Sequence, residues 1–165
     1  MSFVHASRVR FVDTDASGRI HYTAMLRYFE ASEAEFFRAN GLRLGDIQAT
    51  GISWPRVHVE CTYTGPVRYD DLVDVAVSVN RVGNSSYTLA FSGTLAGRPA
   101  AHGSITIVCL DTGTQRSRPL PEELATKSCA SWQKSETQPQ TDYCSTAWDG
   151  ASEFVNCREL TNLVT

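Results

Sequence analysis

Residues 8–37 read RVRFVDTDASGRIHYTAMLRYFEASEAEFF, and they set two aspartates and a glycine turn directly ahead of a long helical pattern of apolar residues. From about Thr23 to Asn40, Met25, Leu26, Phe29, Phe36 and Phe37 recur at helical spacing, while Arg27, Glu35 and Arg38 fall in other sectors. Gly41 after Asn40 is a natural C-terminal stop. The small residues Ala24, Ala31, Ser32 and Ala34 are expected to let this helix lie close against a sheet. Unpaired backbone N–H groups at its start carry partial positive charge, and can stabilise an oxyanion formed when a carbonyl is attacked. Asp15, seven residues before Tyr22, is placed to supply that attack.

Outward from this segment the period changes to two. Val9 and Phe11 alternate with Arg8 and Arg10, which predicts a strand running into Asp13-Thr14-Asp15. From Trp54 to Tyr63, Val57, Val59, Cys61 and Tyr63 alternate with Arg56, His58, Glu60 and Thr62, the pattern of a half-buried strand. Val73, Val75, Val77 and Val79 form the most regular stripe, and Gly83-Asn84 marks the following hairpin. Tyr87, Leu89 and Phe91 alternate with polar and small residues, Gly97-Arg98-Pro99 turns the chain, and Ala101 to Leu110 is a last β-rich run. Strand, long helix and four antiparallel strands with short turns predict an antiparallel sheet wrapped around one helix. A short helical start is expected at Glu122-Glu123-Leu124, after Pro119-Leu120-Pro121. Residues 126–165 are polar, and are read as an appendage to a domain spanning 1–125.

Composition narrows the function classes. The chain has 165 residues, 42% of them hydrophobic, enough for one domain with a real core. A net charge of −3, with arginine and lysine scattered, argues against nucleic acid or an anionic membrane as the partner. No apolar run approaches a membrane span and MSFVHASRVR lacks the apolar core of a secretion signal, so a cytoplasmic chain is expected. The five cysteines, Cys61, Cys109, Cys129, Cys144 and Cys157, contain no C-x-x-C pair and read as reduced thiols. His58 and His102 sit singly on strands, and no metal or cofactor is expected.

With these elements in place, the sequence resembles the hotdog-fold 4-hydroxybenzoyl-CoA thioesterase family and its short-chain acyl-CoA thioesterase relatives. The matching stretches are DTDASGRIHY (13–22), YFEASEAEFFRANGL (28–42) and RYDDLVDVAVSV (68–79), and the resemblance runs from about Arg8 to Asp111. It implies an α+β hotdog fold, a five-stranded antiparallel sheet around one central helix, and hydrolysis of an acyl thioester. It implies Asp15 as the catalytic carboxylate, nucleophile or general base. Gly18 permits the turn, and the backbone N–H of Tyr22 binds the thioester oxygen. His21 stands beside that position, Asp13 is expected to support Asp15, and Glu30 matches a common acidic position. A plainer reading of Glu30 is an ion pair with Arg27 on the next turn, and of both aspartates simple turn chemistry. The hairpin carrying Arg81, Asn84, Ser85 and Ser86 corresponds to a loop that contacts the nucleotide end of coenzyme A. The resemblance also implies a homodimer or dimer of dimers, and an acyl-CoA or acyl-carrier-protein thioester as substrate. The alternative from another class is a module that binds acyl thioesters without cleaving them.

Overall fold

The computed structural model describes residues 3–122 and 124. The polar segment 126–165 lies outside the described residues. Strands β1 (Phe3–Arg8), β3 (Arg56–Tyr63), β4 (Leu72–Val82), β5 (Ser86–Leu95) and β6 (Arg98–Val108) form one sheet in the order β1-β4-β5-β6-β3. Every neighbouring pair in it is antiparallel. A minor two-stranded sheet joins β2 (Ile52–Ser53) to β7 (Leu110–Asp111), and a short helix α2 (Leu44–Gln48) occupies part of the connection before β2. The main sheet curves around helix α1 (Ala24–Ala39), the arrangement the resemblance implies.

The helix forms where its apolar period demands. Met25, Tyr28, Phe29, Ser32, Phe36 and Phe37 are buried on one face, and the chain leaves the helix at Asn40-Gly41 as expected. Opposite lie the stripes Val73, Val75 and Val77 of β4, Leu89 and Phe91 of β5, and Ile105 and Ile107 of β6, all buried. Burial of side chains of this size contributes about 2–3 kcal/mol each. Phe29 stacks on Phe91 with ring centroids 4.7 Å apart. That contact and the crossing strand leave no room at position 103: a Cβ there would stand 2.2 Å from the Glu60 carbonyl oxygen and 3.0 Å from the Phe29 ring. Ala24 and Ser32 provide the close approach, whereas Ala31 faces solvent and Ala34 is half-buried.

Three expectations need correction. The first strand covers Phe3–Arg8, and the chain then breaks into a 3-10 turn at Phe11–Asp13, so no strand runs through the aspartates. The stripe of β3 is not half-buried: Val57 is 60% and Val59 44% exposed. The reason is position, because β3 is the edge strand opposite β1 and β4, the strands that α1 packs against most closely. A bulge at Val57 also shifts the register between Arg56 and His58. It turns Arg56 to the helix side, away from the face of His58 and Glu60. There Arg56 donates from Nη2 to both oxygens of the buried Glu33, at 3.1 Å each. Burial pushes the Glu33 carboxyl up and the Arg56 charge opposes it.

Candidate active site

Asp15 begins a tight turn whose shape follows from its residues. Gly18 N–H donates to the Asp15 carbonyl at 3.0 Å, and Asp15 N–H donates to the Arg19 carbonyl at 2.9 Å. Gly18 sits at φ +73°, a left-handed conformation that side chains resist. The Asp15 carboxylate accepts on Oδ1 from Ser17 N–H at 2.8 Å and from the Ser17 hydroxyl at 2.6 Å. These two bonds hold the carboxyl below its usual range. Among the described residues, no hydrogen bond reaches Asp15 Oδ2.

Asp15, Ser17, Arg19, Tyr22, Tyr63 and Val67 are among the residues lining an open cleft of about 240 Å³. Tyr22 immediately precedes α1 and is 73% exposed. Its backbone N–H donates to no acceptor among the described residues, so it retains its capacity to bind an oxygen. Tyr63, at the end of β3, donates its hydroxyl to the Tyr22 carbonyl at 2.6 Å, tying the edge strand to the helix start. Partial burial, reinforced by Cys61, pushes the Tyr63 phenol up to about 12, so it remains a donor. Neither Ser17 nor Tyr63 stood out in the sequence as a site residue. The signal for Tyr63 was a polar-tipped aromatic at the last position of an apolar stripe.

Asp13 does not join Asp15. It is fully buried, whereas Asp15 is exposed, because the 3-10 turn rotates the two apart. Its carboxylate accepts on Oδ2 from Arg10 N–H at 3.3 Å, Arg10 Nε at 3.2 Å and the Tyr28 hydroxyl at 2.9 Å. Oδ1 accepts from Arg27 Nη2. Burial pushes this carboxyl up, but the bonds from Arg27, Arg10 and Tyr28 outweigh it and hold the group at about 2. The Asp13 carbonyl also accepts from His21 N–H at 2.7 Å. Asp13 therefore fastens both ends of the site loop to α1. Arg27 is engaged with Asp13, so its expected pairing with Glu30 does not form. Glu30 is exposed, and no hydrogen bond joins it to Asp15 among the described residues. His21 is half-buried, with Nδ1 2.8 Å from the Thr23 hydroxyl and its ring 4.3 Å from that of Tyr22.

The hairpin of Arg81, Asn84, Ser85 and Ser86 lies apart from this cleft. Gly83 N–H donates to Ser86 O, and Asn84 and Ser85 accept from Leu120 and Cys109 N–H groups. It stands at the far end of the 11-residue β4, roughly 30 Å along the strand from Leu72. One chain does not bring these residues to Asp15.

The fold has counterparts in known proteins. A family model described as the thioesterase-like superfamily matches residues 9–127. A 1,4-dihydroxy-2-naphthoyl-CoA hydrolase from Synechococcus sp. (strain WH7803) is 30% identical over 125 residues, covering 71% of this chain and 82% of that protein. A solved 1,4-dihydroxy-2-naphthoyl-CoA thioesterase from Synechocystis superposes with a TM-score of 0.74 at 20% identity, over 79% of this chain and 97% of that one. A Staphylococcus aureus protein solved in complex with CoA superposes with a TM-score of 0.77 at 18% identity, over 90% of this chain and 96% of that one. At these identities the two structures establish a shared fold.

Proposed function

The chain belongs to the thioesterase-like superfamily, and from that premise we propose that it hydrolyses an acyl-CoA thioester to the free acid and CoA, with Asp15 as the catalytic carboxylate. The observation that carries this reading is the Asp15 carboxylate in the cleft that Tyr22 also lines, with Oδ1 anchored by Ser17 and, among the described residues, no partner for Oδ2 or for the Tyr22 N–H. Oδ2 attacks the thioester carbon, or takes a proton from the water that does. The Tyr22 N–H, at the positive end of α1, stabilises the oxyanion. The carbonyl re-forms as the C–S bond breaks, and the thiolate leaves and is protonated. Where Asp15 is the nucleophile, water then hydrolyses the acyl–Asp15 anhydride to release the acid and restore the carboxylate; where it is the base, the acid forms directly. A thiolate leaves readily, so a carboxylate held below its usual range is still competent, and it stays ionised at neutral pH. Gly18 keeps the turn that aims Asp15, Asp13 positions the loop, and His21 stands beside Tyr22 with its ring against the Tyr22 ring. Among the described residues, no hydrogen bond or ion pair joins Glu30 to Asp15 or Tyr22.

An aromatic acyl group fits best. The similar Synechococcus protein is a hydrolase of a naphthoyl-CoA ester, and Tyr22 and Tyr63 border the cleft. The functional unit is a homodimer formed through β3, whose exposed Val57 and Val59 and unpaired edge favour a second copy. Pairing of dimers is a further step on the same principle. Such a dimer is also the means by which the hairpin at Arg81 to Ser86 reaches a cleft other than its own chain's. The domain ends near residue 125, and 126–165 is an appendage to it. A cytoplasmic location suits CoA esters as substrates, and among the described residues no helix is long and apolar enough to cross a membrane.

Release of free thiol from benzoyl, naphthoyl, short and long aliphatic CoA esters, and from the same acyl groups on carrier protein, tests the proposal. Aromatic CoA esters are expected to give the highest kcat/KM. Absence of turnover with every ester by a folded dimer would overturn it in favour of a binding module.

A further inference from the structure

Helix α1 starts without a cap of its own. Thr23 immediately precedes it and makes no capping hydrogen bond with its side chain, although threonine is a residue that ordinarily supplies one. The Thr23 hydroxyl lies instead 2.8 Å from His21 Nδ1. A partner for the helix start arrives from the end of β3: the Tyr63 hydroxyl donates to the Tyr22 carbonyl at 2.6 Å. The Met25 N–H, in the first turn, stands near enough to the same hydroxyl to favour its ionised form.

Tyr22 joins two peptide units, and both are held. The unit that carries its N–H has the His21 carbonyl on its other side, and that carbonyl accepts from Ala24 N–H at 2.8 Å. In the next unit the Tyr22 carbonyl accepts from Tyr63, while the Thr23 N–H donates to His21 Nδ1 at 3.3 Å. Peptide units are planar and stiff, so these bonds set the direction in which the Tyr22 N–H points and leave that N–H itself free. The bonds from Ala24 and Thr23 are local to the helix start, whereas the Tyr63 bond ties it to the sheet across 41 residues. An oxyanion donor is effective because it is fixed before the charge develops.

We infer that Tyr63 is a positioning residue for the oxyanion site: its hydroxyl, acting through the Tyr22 carbonyl, holds the Tyr22 N–H where the thioester oxygen gains charge. The inference rests on the thioesterase reading for what that N–H binds, whereas the holding of the N–H is testable without it.

Tyr63→Phe keeps the ring that lines the cleft and removes only the hydroxyl. Circular dichroism and sedimentation check that fold and assembly match wild type. Thiol release from an aromatic acyl-CoA is expected to show kcat lower by about tenfold with KM unchanged, less than the roughly hundredfold or more of losing an oxyanion donor outright. Backbone amide relaxation by NMR is expected to show greater mobility at Tyr22 and Thr23, with Ser17 and Gly18 in the Asp15 turn unchanged. Wild-type kcat in Tyr63→Phe would overturn the positioning role. A raised KM with kcat unchanged would overturn it too, by making the hydroxyl a substrate contact. If wild type hydrolyses no thioester while Tyr22 is more mobile in Tyr63→Phe, the hydrolase reading falls and the positioning of the N–H stands. Unchanged mobility at Tyr22 removes the positioning whatever the turnover.

Discussion

Replacing Asp13 by Ala tests whether this buried carboxylate is the fastening of the site loop. Its four hydrogen bonds come from Arg10, Arg27 and Tyr28. Removing one partner of a buried ion pair costs about 3–5 kcal/mol when the other is left buried. Here the guanidiniums of Arg10 and Arg27 are 67% and 45% exposed and regain water, so the cost is smaller. What remains is mainly the desolvated Tyr28 hydroxyl, about 1–3 kcal/mol. Linkage gives a similar size: a carboxyl at about 2 in the folded chain against roughly 3.9 unfolded corresponds to about 2.6 kcal/mol. Because the folded value is the lower one, this stability is fully present above about pH 4 and is lost as the pH falls towards 2. Urea unfolding at fixed protein concentration should therefore show Asp13→Ala about 2 kcal/mol less stable at pH 7, with the gap narrowing below pH 4. A gap under about 0.5 kcal/mol at pH 7, or one that persists undiminished near pH 2, would refute the reasoning.

Other substitutions probe the remaining links. Gly103→Ala drives a methyl into the Glu60 carbonyl and the Phe29 ring, and should cost about 3 kcal/mol by chemical denaturation. Arg56→Ala leaves the Glu33 carboxylate buried without its cation. It should cost about 3 kcal/mol, and adding Glu33→Gln should recover part of that in a double-mutant cycle. Val59→Lys places a charge on the exposed face of the β3 edge; sedimentation should show a shift from dimer to monomer, and an unchanged dimer would move the interface elsewhere.

The helix was legible because its period of 3.6 is carried by large residues, and Phe29, Phe36 and Phe37 take the buried positions their spacing requires. The hairpins were legible through Gly83-Asn84 and Gly97-Arg98-Pro99, whose chemistry acts locally. What depends on strand order was not. Whether Val57 and Val59 are buried is decided by β3 standing at the sheet edge, and no feature within 54–63 encodes that. The bulge that sends Arg56 to Glu33 is equally invisible to an alternating pattern. Within the site, Asp15 and Tyr22 line one cleft and Gly18 closes the turn that Asp15 begins. Asp13 turns away because a 3-10 turn replaces the extended chain. Arg27 then prefers a buried carboxylate fourteen residues away over Glu30 on the adjacent turn. Tyr63 joins the cleft through a contact 41 residues distant, which periodicity does not report.

The most direct measurement is kcat for an aromatic acyl-CoA with wild type and Asp15→Asn side by side, each checked for folding. Asn keeps the size and most of the turn's hydrogen-bonding geometry but supplies neither a nucleophilic carboxylate nor a base. A fall of about a thousandfold in kcat, near 4 kcal/mol of barrier, is predicted. Retention of more than about a tenth of the wild-type rate, a loss below about 1.4 kcal/mol, would contradict the assignment of Asp15 and with it the central claim.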